Sequence, residues 1–186
     1  MKEDCKMASQ QTILLVIIIA GGLAVIGSYV LCLRAHPRSG NALWGGVPEW
    51  LRPFYAISMV ISALGWFAFA TFILFRINAA QAIIAGRFDF SLFYVIFLGI
   101  LVPSALWMPF TQMMTQHPGK ALWIGIRLVL ILVGFFSCVL VWALFTLKTR
   151  EPHLHYWLAF AGSAYFAFHT VVLDMILWPA LFKASI

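Results

Sequence analysis

The chain predicts an all-α integral membrane bundle of five transmembrane helices, and three observations carry that prediction. Hydrophobic residues make up 63% of the sequence and charged residues only 10%, against about a quarter charged in soluble domains. Such a composition cannot cover a water-facing surface, and it suits lipid as the solvent. Five apolar stretches each reach the roughly 20 residues that a spanning helix needs. None of them alternates between polar and apolar residues as a membrane β-barrel strand must. No internal repeat or low-complexity segment divides the chain, so residues 1–186 read as one domain.

The first stretch runs from Thr12 to Leu33. The segment before it, MKEDCKMASQQ, mixes acids with lysines, and no small-residue cleavage pattern follows, so the helix is expected to be retained and not removed as a signal peptide. Gly21, Gly22 and Gly27, with Ala20 and Ala24, give it a small-residue face for close helix packing, and a homodimer surface is one use for that face. A connection from Arg34 to Pro53 follows, RAHPRSGNALWGGVPEWLRP, whose prolines, glycines and two tryptophans predict a structured cap at a membrane interface. The second helix is expected from Phe54 to Arg76 and the third from Phe90 to Phe110. The third contains VPSALWMPF, which sets Trp107 between Pro103 and Pro109, each of which removes a backbone hydrogen bond and bends or opens the helix. The fourth helix, Ala121 to Leu147, carries Arg127. The fifth, Tyr156 to Phe182, carries His169, Asp174, Trp178 and Pro179.

Five crossings put the termini on opposite sides. Side one holds the N-terminus and the second and fourth loops; side two holds the first and third loops and the C-terminus. Setting Arg127 aside, side one has six Lys and Arg residues and side two has five, too even a balance for the positive-inside rule to orient. The cations punctuate apolar runs and read as headgroup anchors, not as a nucleic-acid patch. Cys5, Cys32 and Cys138 are too scattered for a disulfide framework or a metal motif.

Two charges stand inside the spans. By helical rise Arg127 lies roughly 9 Å, and Asp174 roughly 12 Å, from side two. Their equal depth on antiparallel neighbours predicts an ion pair or a shared polar cavity, because charge facing lipid is costly. The competing reading has Arg127 snorkelling to the headgroups and Asp174 protonated. Freed carbonyls in the third helix, Trp107, Trp178 and the Trp44–Trp50 loop converge on the same side and outline a small-molecule pocket. Trp50, Trp107 and Trp178 are its expected walls, beside Pro109. Arg127 and Asp174 are its polar anchors, and Tyr55 and His117 its rim. An aromatic belt at the headgroups is the alternative for the tryptophans. His169 stands five residues from Asp174, which in an α-helix turns the two apart, so a buried neutral histidine bonded to a neighbouring helix is expected. His153 and His155 form an HLH loop that is a weak metal signal, and no metal site is expected. There is no nucleophilic triad, glycine-rich phosphate loop or acid–base pair of usable spacing, so no catalytic residues are assigned and an enzyme is not expected.

PEWLRPFYAISM (Pro48 to Met59), SALWMPF (Ser104 to Phe110) and VVLDMILW (Val171 to Trp178) together resemble the translocator protein family, also called tryptophan-rich sensory proteins or peripheral benzodiazepine receptors. Pro48, Trp50, Pro53 and Tyr55 are spaced like that family's entry into its second helix. Ser104 and Asp174 stand where the family has asparagines, and Trp107, Pro109 and Phe110 match its third helix. The chain departs from the pattern in having one proline where the family's first loop has two. It also lacks the Pro-Tyr of the fifth helix and the C-terminal Tyr-then-basic sterol pattern, though a reversed version, Arg52–Tyr55–Val60, is present. The resemblance implies a five-helix protein of the mitochondrial outer membrane or a bacterial membrane. It also implies a tetrapyrrole or sterol-like lipid as ligand, no required cofactor, and a role in binding, transport or sensing. Arg127 would then face a ligand carboxylate. The other expected partners are membrane lipids and a second copy of the chain. Two alternatives come from other classes: a small structural subunit of a larger membrane complex, and a proton-coupled transporter using His169 and Asp174.

Overall fold

In a computed structural model, which describes residues 2–35, 44–148 and 150–182, the five expected helices form. They are α1 (Lys2–Ala35), α2 (Arg52–Phe75), α3 (Leu92–Gln116), α4 (Lys120–Thr146) and α5 (His153–Leu181). Each contains a segment long and apolar enough to cross a membrane. The protein is an integral, multi-pass membrane protein. Part of the expected first-loop cap (36–43, with Arg38) and Lys183 lie outside the described residues.

Local chemistry sets the helix ends. Pro53 sits in the first turn of α2, where its missing N–H costs nothing, behind a short 3₁₀ turn at Glu49–Leu51. Asp89 accepts the Ser91 N–H (3.0 Å) just ahead of α3. That helix passes through Pro103 and Pro109 without a break and ends at Gln116, six residues beyond the expected end at Phe110. The polar residues Thr111 and Gln112, which closed the apolar run in the sequence, are buried against protein, so they continue the helix. On side one, Ala85 and Gly86 both have positive φ (50° and 74°) in a tight turn that pairs Ile84 with Phe88 and with Leu147.

The helices close a ring in the order α1–α3–α4–α5–α2. Four of its seams are tightly packed, whereas α1 and α2, adjacent in sequence, meet only sparsely. The outer helix α1 is tied down on side one, where Tyr94 Oη donates to the Gln10 carbonyl (2.9 Å) and Gln11 Nε2 to the Ile77 carbonyl (3.2 Å).

The apolar interior falls into two clusters. The side-one cluster is built on phenylalanines 69, 72, 90, 93 and 97 with Leu140, Leu144 and Tyr156. On side two the cluster gathers Val47, Tyr55, Met114, Ile126, Leu130, Leu173 and Trp178. Between them α2 and α5 touch backbone to backbone. A Cβ on Gly65 would stand 2.6 Å from the Gly162 carbonyl oxygen, and one on Gly162 would stand 2.8 Å from Gly65 Cα. Only glycine at both positions permits that approach. The two helices run on past this crossing. Toward side one they leave a groove of about 480 Å³ lined by Thr71, Phe75, Arg76, His155 and Leu158, among others.

Candidate functional site

Residues His169–Leu177 of α5 are π-helical, with hydrogen bonds spanning five residues in place of four, between an α-helical stretch (His153–Phe168) and a last α-turn (Trp178–Leu181). Where the register changes, Thr170 Oγ1 donates to the Phe166 carbonyl (3.0 Å) and the Ala167 carbonyl (3.3 Å). A side chain thus serves carbonyls that have no water to turn to. At the other end the Trp178 N–H bonds the Leu173 carbonyl. Pro179, having no N–H, cannot extend the ladder, and the helix returns to α geometry.

This local winding corrects an expectation. In an α-helix His169 and Asp174 would point about 140° apart. In the wider π-turn they share a face, with His169 Nε2 3.6 Å from Asp174 Oδ2. That exceeds a hydrogen-bond length and lies within ion-pair reach. The other ring nitrogen, Nδ1, is 2.8 Å from Ser58 Oγ on α2, and Ser58 Oγ in turn accepts from Tyr165 Oη at 3.1 Å. His169 meets Ser58 through Nδ1 and turns Nε2 toward the carboxylate. Four side chains from two helices thus form one chain, Tyr165–Ser58–His169–Asp174. The expected bond from His169 to a neighbouring helix is present. The Gly65–Gly162 contact brings α2 close enough to make it.

The predicted Arg127–Asp174 pair does not form. Arg127 is exposed on the outer face of α4, alongside Ile124, Leu128 and Ile131, and no hydrogen bond or ion pair joins it to Asp174. The two groups share a depth but not a direction. Trp50 also turns outward and is 78% exposed. His117 is exposed at the end of α3, and the HLH histidines stand in the first turn of α5, not in a loop.

Other predicted residues do converge. Trp107 lies 5.6 Å from buried Trp178, centroid to centroid, and 5.8 Å from Tyr29 of α1. Trp178 continues to Phe182 (4.6 Å) and Trp123 (6.4 Å). Tyr55 is buried, donates from Oη to the Leu173 carbonyl at 3.0 Å, and packs edge-on to Trp44 at 6.1 Å. The described part of the first loop lies over this end, with the Gly45 backbone against Phe182 and Arg52 over Trp44. Asp174 lies within electrostatic reach of Tyr29 and Tyr55, and its side chain keeps 31% of its surface accessible. Among the described residues Trp107 Nε1 is buried without a hydrogen-bond partner, and Pro109, two residues further along α3, is half-buried. The result is an aromatic cluster on side two with one carboxylate and one indole N–H that has no partner among the described residues. Tyr29, Ser58, Tyr165 and Trp123 belong to this assembly and were not foreseen. Pro179 is the one residue that marks the irregular winding in the sequence.

Comparison of the chain with family models, with curated proteins and with solved structures finds no match. The fold defines a class, a five-helix multi-pass membrane protein, in which a row of polar side chains on α2 and α5 lies near an aromatic cluster.

Proposed function

We propose that this protein binds an apolar or amphipathic small molecule in a chamber among these side-two rings, in a transport or sensing role. The observation that carries this reading is the buried Trp107 Nε1, without a partner among the described residues, beside the rings of Tyr29 and Trp178. A buried donor left unpaired is costly, and a ligand acceptor would relieve it. The resemblance to the translocator protein family points the same way and offers tetrapyrroles and sterol-like lipids as ligands. With Arg127 on the outer face, a tetrapyrrole's carboxylates would meet the Asp174 carboxylate with no counter-charge beside it among the described residues, so a ligand free of acidic groups fits better. The test is titration of the purified protein with a fluorescent sterol and with protoporphyrin, read by tryptophan quenching. Trp107→Ala should weaken saturable binding by about tenfold or more while the protein stays folded. An affinity indifferent to Trp107→Ala would remove the chamber as the binding site.

A second reading is proton-coupled transport, favoured by the His169–Asp174 contact and its link to Ser58 and Tyr165. Substrate flux in proteoliposomes that is driven by a proton gradient and lost in His169→Gln would favour it. Flux insensitive to that substitution would rule it out.

A further inference from the structure

Charge narrows the ligand class of the chamber, in an argument that rests on the binding reading above. Asp174 is the acid that α5 presents there, and it is accessible. A carboxylate inside a membrane span needs a positive partner or water. The expected partner, Arg127, faces outward. Arg52 is engaged at the rim, over Trp44 and within 3.4 Å of the Val47 carbonyl. His169 Nε2 lies 3.6 Å away, beyond hydrogen-bond length, while Nδ1 is held at Ser58. Tyr29 lies within electrostatic reach of the carboxylate, and its ring meets Trp107, which in turn meets Trp178, one turn beyond Asp174 on α5. The electron-rich faces of such rings attract cations and repel anions. A bare metal ion is a poor occupant, because Ca²⁺ and Mg²⁺ ask for about six oxygen ligands and among the described residues no three-ligand group of His, Cys, Asp and Glu exists.

We infer that the chamber binds an amphipathic organic cation, an ammonium group carried on an aromatic or aliphatic body, with Asp174 as its counter-charge and Tyr29, Trp107 and Trp178 as its walls. The ammonium sits at the carboxylate and the apolar body lies along the rings. The sparsely packed α1–α2 seam is the route by which such a molecule, already partitioned into lipid, reaches the chamber.

The test uses the full chain in lipid nanodiscs and two probes of one shape, 4-phenylbutylammonium and its uncharged hydrocarbon counterpart n-pentylbenzene, neither of which offers Trp107 an acceptor. Calorimetric titration is corrected with empty nanodiscs for partition into lipid. The ammonium should bind about tenfold or more tightly than the hydrocarbon. Asp174→Asn should erase that preference with little change for the hydrocarbon, and Asp174→Glu should keep it. Equal affinities in the wild type, or a preference that survives Asp174→Asn, would overturn the cation inference and leave the chamber standing. Saturable binding of neither probe would remove the chamber and this inference together. The wild-type ratio decides the matter even if a variant fails to fold.

Discussion

The Leu173 carbonyl takes two donors, the Trp178 N–H along the helix and Tyr55 Oη across from α2 at 3.0 Å. Tyr55→Phe deletes the second while leaving the ring in place, so it should cost about 1 kcal/mol. Thermal or denaturant unfolding in detergent measures this, and an unchanged midpoint would show that the bond contributes nothing. Ser58→Ala should cost more, about 1–3 kcal/mol, because it strands Nδ1 of a buried histidine and the Tyr165 hydroxyl together. At this scale the sequence was legible in part. Trp107 and Trp178 meet ring to ring on side two, and Tyr55, expected at a rim, is buried there and bonded to the Leu173 carbonyl. Arg127 and Trp50 do not join them, for a physical reason. Depth follows from counting residues at a fixed rise, but direction must be read from a polar–apolar contrast around the helix. In α4 the outward Ile124, Leu128 and Ile131 are as apolar as the buried Ile126, Leu130 and Val133, so lipid erases that contrast.

α5 carries most of what is unusual in the molecule. Its π-turn rotates every side chain beyond Phe168 away from the α-helical phase, and this sets both the His169–Asp174 contact and the place of Trp178 in the side-two cluster. Five helices and most of their bounds could be read from apolar run lengths. The π-turn could not, because helix type depends on how carbonyls are satisfied by Thr170 and refused by Pro179, and a hydropathy pattern does not record that. The same helix makes the glycine crossing. Gly162→Ala would press a methyl carbon onto the Gly65 backbone, which cannot swing aside, and should cost about 1–3 kcal/mol and lengthen the Ser58–His169 bond. Gly22→Ala, with nothing within 4 Å of its new Cβ, should leave stability unchanged in the same melting experiment. Equal effects of the two substitutions would contradict the close crossing.

For the whole molecule, five crossings put Trp50 and Gly119 on one side of the membrane and Asn78 and Arg150 on the other. In a cysteine-free background, single cysteines at these positions should react with an impermeant maleimide in two groups, Trp50 with Gly119 and Asn78 with Arg150, from opposite faces of sealed vesicles. Labelling of all four from one face would exclude the five-span arrangement. The ring order was not legible in the sequence, since run lengths say nothing about which apolar faces meet. It sets the tight seams against the loose one between α1 and α2. The Gly65–Gly162 contact, midway along α2 but nearer the side-one end of α5, lies between the Arg76–His155 groove and the side-two rings. The same two helices are fastened again toward side two, by Ser58–His169 and Tyr55–Leu173, so the groove opens at the unlaced end of a seam laced at three points.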